Sequence, residues 1–500
     1  MGDAPGVVSF QHLFLSLPSP RTWYFACSIR RVSRQVTNPR AASKQPASSS
    51  KRKGRLSFWG YCRRLLWSWW FWMLIVIAAA YTSHWQTALS TLIVAIVTYL
   101  VTPPTTSPTY GLDSTTPLRS DEFLATIAGA TGVPFIEGNR IAFLNNGDEF
   151  YPAMLKAISQ ARSSITIEAY IYWAGDIGQQ FADAIAERAR AGVDVKILLD
   201  AVGSSTIGDE ILKTLQESGC QVRWYNKMFW RTIGRFNNRT HRKSLIIDGS
   251  LAFTGGAGIA DHWLGNAQDP KHWRDVQIRL EGPGAVPLQT GLVQNWLATT
   301  GEIVTGPRYF PKAEPVGPIA VQTIMSSPAG GSSAVRTMYY LSIVSAQRKL
   351  YIANAYFIPD ESAVDILVSA RKRGVDVKLM LSGIHNDMKL ARYGGIHLYG
   401  KLLEAGIEIY EYNRTMLHQK TMVVDGTWST IGTTNFDNRS FALHEESNVC
   451  IYDTRLAEQL EQIFFQDLAA CVRVNLESWK RRGMLTKIRG AAALFLKDQL

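Results

Sequence analysis

Two nine-residue stretches decide how this chain folds: HRKSLIIDG at residues 241–249 and HQKTMVVDG at residues 418–426. Each begins with a histidine, has a lysine two residues later, and runs through a mostly apolar segment to an aspartate. Alternate residues of a β-strand point to the same face. The pattern therefore predicts that His241 and Lys243 lie side by side at the start of a buried strand, and that His418 and Lys420 do the same.

The sequence around the two stretches also repeats. Residues 163–200 and 348–381 each read as a β-rich run, an amphipathic helix and the letters GVDVK leading into an apolar strand. Strands that alternate with helices indicate an α/β fold. We predict two similar α/β sandwich domains, produced by duplication, that face each other about a pseudo-twofold axis. A duplicated domain can be purely structural, so the repeat alone indicates no chemistry.

An apolar stretch precedes the repeated region, because residues 65–101 contain no Lys, Arg, Asp or Glu. A bilayer core needs about 20 residues, so the stretch is long for one span and favours a transmembrane hairpin, with a single span as the alternative. The basic residues before it place its start in the cytoplasm. The acid-poor N-terminus also has features of an organelle transit peptide.

The predicted organisation combines these features with the composition of the connecting segments. It comprises a disordered basic segment at residues 1–64, transmembrane segments at 65–101, a linker at 102–118, a first domain at 119–305, a linker at 306–320 and a second domain at 321–500.

The charge distribution argues against a nucleic-acid partner. The chain of 500 residues carries a formal net charge of +12, but residues 1–112 hold 12 Lys and Arg against the single acidic Asp3. The rest of the chain is nearly neutral, whereas a nuclease groove usually places its positive charge in the folded body. The 5 cysteines form no C-x-x-C pair, so they indicate neither a zinc site nor a disulfide framework.

Two imidazoles and two ammonium groups in one pocket would suit phosphodiester chemistry. A neutral imidazole can attack phosphorus without the repulsion that an anionic nucleophile meets, and it can form a covalent intermediate. Lysines neutralise the nonbridging oxygens, and a second, protonated histidine can donate to the leaving alkoxide. This chemistry requires no metal and no cofactor, and the sequence contains no evident carboxylate cluster for a metal ion.

The repeated His-x-Lys-x4-Asp pattern resembles the phospholipase D superfamily, and the likeness extends over most of residues 120–480. The leading apolar segment and the stretch NFDNRSFALHEESN, residues 435–448, resemble the bacterial type of the cardiolipin synthase branch. The residues that match the catalytic motif are His241, Lys243, Asp248, His418, Lys420 and Asp425.

The resemblance implies roles for these and for neighbouring residues. It makes His241 the nucleophile and His418 the acid, although the symmetry of the motifs leaves the order open. Asn435 would donate to the phosphate, with Thr433 beside it in the motif. The first motif continues with glycine and alanine at residues 255–258 and lacks this asparagine, so donation there would be asymmetric.

Each histidine also needs a partner that orients its second ring nitrogen. The candidates are Asp275 and Glu446, which we expect to reach across the domain interface. Asp248 and Asp425 follow the strands and are expected to order the turns there. His262, His272 and His444 lie near the motifs and are candidates to line the site.

The resulting expectation is a membrane-bound cardiolipin synthase that acts on phosphatidylglycerol in a bacterial inner membrane, with its catalytic body in the cytoplasm. A phospholipase D hydrolase or another phosphatidyltransferase is the nearest alternative, since the acceptor alcohol cannot be read from the sequence. A nuclease of the same superfamily and a non-catalytic membrane scaffold are alternatives of other classes. The oligomeric state is left open.

Overall fold

A computed structural model describes residues 69–81, 86–93, 116–227, 238–312, 314–327 and 333–495. The predicted basic segment at 1–64 lies outside these residues. The predicted transmembrane stretch is described only at helix α1 (Trp69–Tyr81) and at the helical residues 86–93. In the described ranges, none of the helices combines the length and the apolar character needed to cross a bilayer. The predicted hairpin therefore finds no support in the described residues.

The first half of the folded body alternates strands with helices, as the sequence pattern predicts. Its helices are α2 (Asp121–Thr131), α3 (Asn146–Ser159), α4 (Asp176–Arg190), α5 (Asp209–Glu217) and α6 (Val286–Thr300). Its strands are β1 (Ile136–Asn145), β2 (Ser164–Ala169), β3 (Asp194–Asp200), β4 (Gln221–Tyr225), β5 (Arg239–Thr240), β6 (Ser244–Ile247), β7 (Leu251–Gly255) and β8 (Val276–Glu281).

The second half has a similar succession of elements. Its helices are α7 (Ala334–Ser345), α8 (Glu361–Lys372), α9 (Lys389–Glu404), α10 (Asn438–Ala442), α11 (Thr454–Leu468), α12 (Leu476–Lys480) and α13 (Met484–Phe495). Its strands are β9 (Ile319–Ser326), β10 (Lys349–Asn354), β11 (Phe357–Ile358), β12 (Asp376–Ser382), β13 (Glu408–Tyr412), β14 (Lys420–Val424), β15 (Trp428–Gly432), β16 (Phe436–Asp437), β17 (His444–Tyr452) and β18 (Cys471–Val474).

One 16-stranded sheet runs through both halves of the described chain. The first half contributes the order β4-β3-β2-β6-β7-β8-β1, and the second half contributes β13-β12-β10-β14-β15-β17-β9, with β18 at its outer edge. In each half the first three strands are parallel and the others antiparallel. Antiparallel pairing of β1 with β9 joins the halves, so they share a sheet rather than forming two separate ones.

Helices cover both faces of the sheet, which explains why its central strands are apolar on both sides. In β6, Leu245 and Ile247 join the core under α3 and α4, whereas Ile246 joins the core under α6 on the opposite face. Strand β14 alternates in the same way, with Val423 on the face opposite Met422. This packing on both faces fixes the register of the two strands that follow the His-x-Lys segments.

Helix α2 crosses from the predicted first domain onto the core of the second half. Phe123 and Ile127 are buried there, and the Phe123 ring meets Trp428 edge-on at 5.3 Å between centroids. Ser120 caps the helix by accepting a hydrogen bond from the Phe123 amide. The N-terminal helix of the body therefore stabilises the half that follows it in sequence.

Candidate active site

Strand β6 begins at Ser244 and strand β14 at Lys420, so the predicted strand starts at His241 and His418 are wrong by three and two residues. The physical reason is that the backbone of each His-x-Lys segment pairs with the other half of the chain. The His241 amide donates to the Glu445 carbonyl (2.9 Å), and the His418 amide donates to the Arg274 carbonyl (2.8 Å). Both segments are held between the two halves.

These segments bring three of the four predicted His and Lys side chains to one cavity of about 110 Å³ and the fourth, Lys420, next to it. His241, Lys243, His418 and Asn435 are buried in its wall. Lys420 is buried beside His418, with its Nζ 3.1 Å from His418 Nδ1 and hydrogen-bonded to the His418 carbonyl. Lys243 Nζ donates to the His241 carbonyl in the corresponding way (2.8 Å). The geometry places two imidazoles and two ammonium groups around one small space.

Each histidine contacts a carboxylate from the opposite half. Nδ1 of His241 lies 3.0 and 3.1 Å from the two carboxylate oxygens of Glu446. Nδ1 of His418 lies 2.9 Å from Oδ2 of Asp275. A carboxylate at Nδ1 favours the tautomer that keeps the proton there, so Nε2 of each ring is left with a lone pair.

The carboxylates are themselves oriented, by different donors. The hydroxyl of Thr433 donates to Oε2 of Glu446. Asp275 instead accepts a hydrogen bond from the indole N–H of Trp263 (3.2 Å). Thr433 thus acts through Glu446 and does not line the cavity. Trp263, which the sequence analysis did not single out, takes the equivalent place in the other pair.

The two histidines have different aromatic neighbours. The His418 ring lies 5.3 Å from Trp263, 5.4 Å from Trp273 and 6.3 Å from Tyr356, measured between centroids. The His241 ring lies 5.0 Å from Tyr170 and 5.4 Å from His444. His418 is therefore enclosed by aromatic rings, and His241 faces a second imidazole.

Burial and positive charge keep both histidines neutral before an anion binds. Burial, followed by Lys243 and Lys420, holds the pKa of His241 well below its ordinary value. Burial and Lys420 lower the pKa of His418 to about 4, against the opposing effect of Asp275. Burial also lowers the pKa of Lys243 to about 7 and that of Lys420 to about 8. The cavity therefore suits a ligand that brings negative charge.

Asp248 and Asp425 do not line the cavity. Asp248 has φ of 50° and accepts backbone hydrogen bonds from residues 162–164, where β2 begins. Asp425, with φ of 52°, accepts from residues 347–349, where β10 begins. Burial raises the pKa of Asp248, but these amides outweigh it and the net shift is downward. Both aspartates bind turns, as their positions after the strands suggested.

The cavity wall includes one flanking histidine that the sequence suggested and further residues that it did not. Of the three flanking histidines, His444 lines the cavity, and His262 packs between Trp173 and Trp273 instead. Arg439 and Asp437 also line it. Both follow Asn435 within four residues, and this proximity is the one signal that could have identified them.

His241, His444 and Glu446 could hold a metal ion by spacing alone, because one ligand atom from each lies within 4.8 Å of the others. However, Nε of Arg439 donates to Nε2 of His444 (3.0 Å). A metal ion would have to displace this guanidinium, and Glu446 already accepts from His241 and Thr433. The donor set suits an anion better than a cation.

Comparison with known proteins identifies this arrangement. The family model described as cardiolipin synthase, PLD-like domain, matches residues 154–267 and 340–468. The major cardiolipin synthase of Bacillus subtilis is 32% identical over 369 residues, covering 73% of this chain and 76% of that protein. The chain belongs to the cardiolipin synthase family of phospholipase D-like proteins. The predicted resemblance is thereby confirmed, and the chain is a phosphatidyltransferase of the phospholipase D type.

Further relatives agree with this membership of the cardiolipin synthase family. A cardiolipin synthase of Clostridium perfringens strain 13 is 34% identical over 361 residues, covering 71% of this chain and 75% of that protein. Among solved structures, the phosphatidylserine synthase of Haemophilus influenzae has a TM-score of 0.59 at 15% identity, covering 75% of this chain and 99% of that one. The likeness to the phosphatidylserine synthase, at 15% identity, concerns the fold alone.

Proposed function

We propose that the protein is a cardiolipin synthase, which transfers a phosphatidyl group from one phosphatidylglycerol to a second through a phosphohistidine. The observation that carries this proposal is the pair of histidine–carboxylate contacts at one cavity, His241 with Glu446 and His418 with Asp275. Lys243 lines the same cavity, and Lys420 lies beside His418. Membership of the cardiolipin synthase family supports the choice of substrate.

In the first step, Nε2 of His241 attacks the phosphorus of the donor lipid. A P–N bond forms, the P–O bond to the headgroup breaks, and the departing glycerol oxygen takes a proton from Nε2 of His418. Lys243 and Lys420 stabilise the negative charge on the nonbridging oxygens, and Asn435 donates a further hydrogen bond. Asn435 is buried in the wall of the same cavity, which supports this role.

In the second step, the roles of the histidines are reversed. His418, now neutral, accepts the proton of a glycerol hydroxyl on the second phosphatidylglycerol. The oxygen of that hydroxyl forms a bond to phosphorus, the P–N bond breaks, and cardiolipin leaves. His241 regains its neutral form, and the proton taken up by His418 restores the acid for the next cycle.

The surroundings of the two rings support His241 as the nucleophile. Its neighbours include His444 and Arg439, and a nearby guanidinium disfavours protonation of the ring. The tryptophan rings around His418 stabilise an imidazolium by cation–π attraction. An anionic phosphate would also offset the charge of Lys420, which lowers the pKa of His418. Substrate binding would therefore favour uptake from solvent of the proton that His418 must donate.

The proposal also includes the place in the cell where the enzyme operates. The lipid substrates place the enzyme at a membrane, and residues 65–101 would attach it there, with the catalytic body in the cytoplasm.

We also infer that the two halves derive from one duplicated unit related by a pseudo-twofold axis. The shared strand order, and the corresponding positions of the two His-x-Lys segments, support this origin.

Product analysis tests the proposal. The purified full chain, incubated with phosphatidylglycerol in the presence of a metal chelator, is expected to yield cardiolipin and free glycerol in equal amounts. Phosphatidic acid without cardiolipin would contradict the synthase proposal and favour a hydrolase. Cleavage of DNA under the same conditions would favour the nuclease.

The His241→Ala variant provides the matched test of mechanism. It removes the nucleophile, so cardiolipin formation is expected to fall by at least about 10⁴-fold, as when a nucleophile is lost from other covalent catalysts. Acid-quenched wild-type enzyme with labelled lipid should retain label on histidine, and the variant should not. Wild-type activity in the variant, with its fold intact by circular dichroism, would refute the role of His241.

A further inference from the structure

Arg439, on the short helix α10, is a cation at the cavity without an acidic partner. Its Nε donates to His444, and in the described part of the chain no carboxylate lies within ion-pair distance of its guanidinium. Other arginines around the site reach a carboxylate: Arg239 with Asp200 (3.7 Å), Arg242 with Glu445 (2.7 Å) and Arg274 with Asp467 (2.7 Å). The His444 contact holds Arg439 in place and leaves its charge uncompensated.

Asp437, two residues earlier, lines the same cavity and is buried. Its Oδ1 accepts the Ser440 amide (2.7 Å), which caps α10. No lysine or arginine forms an ion pair with it among the described residues. Burial is the main reason why its pKa is raised to about 7, so near neutral pH the carboxyl group can both accept and donate hydrogen bonds. Such a group is suited to a hydroxyl ligand.

The chemistry of the proposed reaction requires both groups. Lys243 and Lys420 can neutralise the phosphate under attack, but the acceptor lipid carries a second phosphate whose charge also enters the cavity. A guanidinium fork binds phosphate through two parallel hydrogen bonds. The glycerol of the acceptor has two hydroxyls, one that attacks and one that remains free. In the acceptor lipid, the phosphate and the free hydroxyl are thus separated by only a few covalent bonds.

We propose that Arg439 and Asp437 form the acceptor subsite, in which the guanidinium binds the phosphate of the second phosphatidylglycerol and the carboxyl group binds its C2 hydroxyl. Both contacts hold the C3 hydroxyl near the phosphohistidine. Its oxygen then forms the P–O bond, the P–N bond to His241 breaks, and its proton passes to His418. This subsite rests on the proposed function and explains how the enzyme would select a lipid over water.

Competition between acceptors tests the role of Arg439. The full chain in detergent micelles with phosphatidylglycerol and ethanol forms cardiolipin from the lipid acceptor and phosphatidylethanol from the alcohol. Both products share the donor step. The Arg439→Gln variant is expected to lower the ratio of cardiolipin to phosphatidylethanol about 10- to 100-fold, because it removes a charge-assisted hydrogen bond to the acceptor phosphate. The Arg439→Lys variant, which keeps the charge without the fork, should fall between.

The control is Arg455→Gln, at an exposed position on α11, which should leave the ratio unchanged. An equal loss of both products in Arg439→Gln would overturn the acceptor role, since the residue would then serve the donor step or the fold. The absence of cardiolipin from the wild type would instead refute the proposed function. The two failures are therefore distinguishable.

Asp437 provides an independent readout that does not depend on Arg439. Serine is as good an N-cap as aspartate but is shorter and has no second polar atom for the ligand, so Asp437→Ser should preserve α10 and remove the hydroxyl contact. The wild type is expected to prefer phosphatidylglycerol to its analogue with a 1,3-propanediol headgroup, which lacks the C2 hydroxyl, by about tenfold. The variant should lose most of this preference. A preference unchanged from the wild type would rule out the proposed hydroxyl contact.

Discussion

At the scale of single residues, the site depends on two lysines that the protein holds close to deprotonation. Burial lowers the pKa of Lys243 to about 7 and that of Lys420 to about 8, and the charge of Lys420 depresses Lys243 further. Each Nζ is anchored by the backbone carbonyl of the preceding histidine. A bound phosphate would restore the missing countercharge, so lipid binding and lysine protonation are coupled.

This coupling predicts a pH-dependent affinity for the lipid. Below about pH 7 both lysines are charged in the free enzyme, and above about pH 8 both are largely neutral. Binding of the phosphodiester at high pH must then take up protons, so KM for phosphatidylglycerol should rise by at least about tenfold between pH 6.5 and pH 9. Initial rates over a range of lipid concentrations measure the effect.

Binding of the protein to the same vesicles at each pH provides the control, since it separates headgroup recognition from membrane partition. A KM that stays constant over this range would show that the lysines keep their charge throughout. The lowered pKa values that follow from the burial of Lys243 and Lys420 would then be contradicted.

At the scale of elements, the two carboxylates that orient the histidines depend on the loops after β7 and β15. Thr433 follows β15 and reaches Glu446 with its hydroxyl. Gly256 follows β7 in the equivalent place and has no side chain. A Cβ there would lie 2.5 and 2.6 Å from the carboxylate oxygens of Asp275, and 2.8 Å from the His418 carbonyl. This close approach is what requires glycine.

The Gly256→Ala variant should therefore displace Asp275 from His418. Loss of an orienting partner typically costs about 10- to 100-fold in activity, and we expect kcat to fall by that amount while the fold is retained. Rates of cardiolipin formation and of phosphatidylethanol formation should fall together, because the proposed mechanism uses His418 in both reactions.

Gly129→Ala is the matched substitution. Gly129 is exposed on α2, and a Cβ there meets nothing within 4 Å. Activity should be unchanged and helix α2 slightly stabilised, by about 1 kcal/mol. Equal activities of the Gly256 and Gly129 variants would contradict the role given to the glycine after β7.

At the scale of the whole molecule, neither half contains a complete site. Strand β5 pairs in parallel with β17, and a single bridge joins Arg274 with Leu417. Buried ion pairs reinforce both contacts, Arg242 with Glu445 and Arg274 with Asp467. The same contacts that unite the halves bring each histidine to its carboxylate. The stability of the fold and the geometry of the proposed site therefore depend on one set of interactions.

The Arg274–Asp467 pair offers a test of this connection. Both carboxylate oxygens of Asp467 accept from Nε of Arg274, at 2.7 and 2.9 Å, and Gln419 also donates to Asp467. Asp467→Asn would leave the buried guanidinium without its countercharge, so the free energy of unfolding should fall by about 3–5 kcal/mol. Denaturant unfolding measures this loss.

Glu217→Gln is the control, because its pair with Lys213 is exposed on α5. Removal of an exposed pair changes the unfolding free energy by less than about 1 kcal/mol. If the Asp467 variant were no less stable than the Glu217 variant, the buried pair would not hold the halves together.

The sequence by itself determined the α/β class, the pairing of each histidine with its lysine and the turn-forming place of Asp248 and Asp425. These features follow from local spacing, since each lysine bonds to the carbonyl of the histidine two residues before it and each aspartate directly follows its strand. The family resemblance, confirmed by the comparisons, rests on the same local motifs. It could suggest Asp275 and Glu446, but not their distances from the rings.

Only the tertiary structure decided which chemical groups surround each histidine. His241 contacts Glu446, and His418 contacts Asp275 and Trp263, in each case from the opposite half of the chain. The strands begin after His241 and His418 because the backbone of these two residues bonds to the other half. Contacts between residues some 140 to 200 positions apart leave no periodic trace in the chain, so the asymmetry of the site becomes visible only after the sheet has joined its halves.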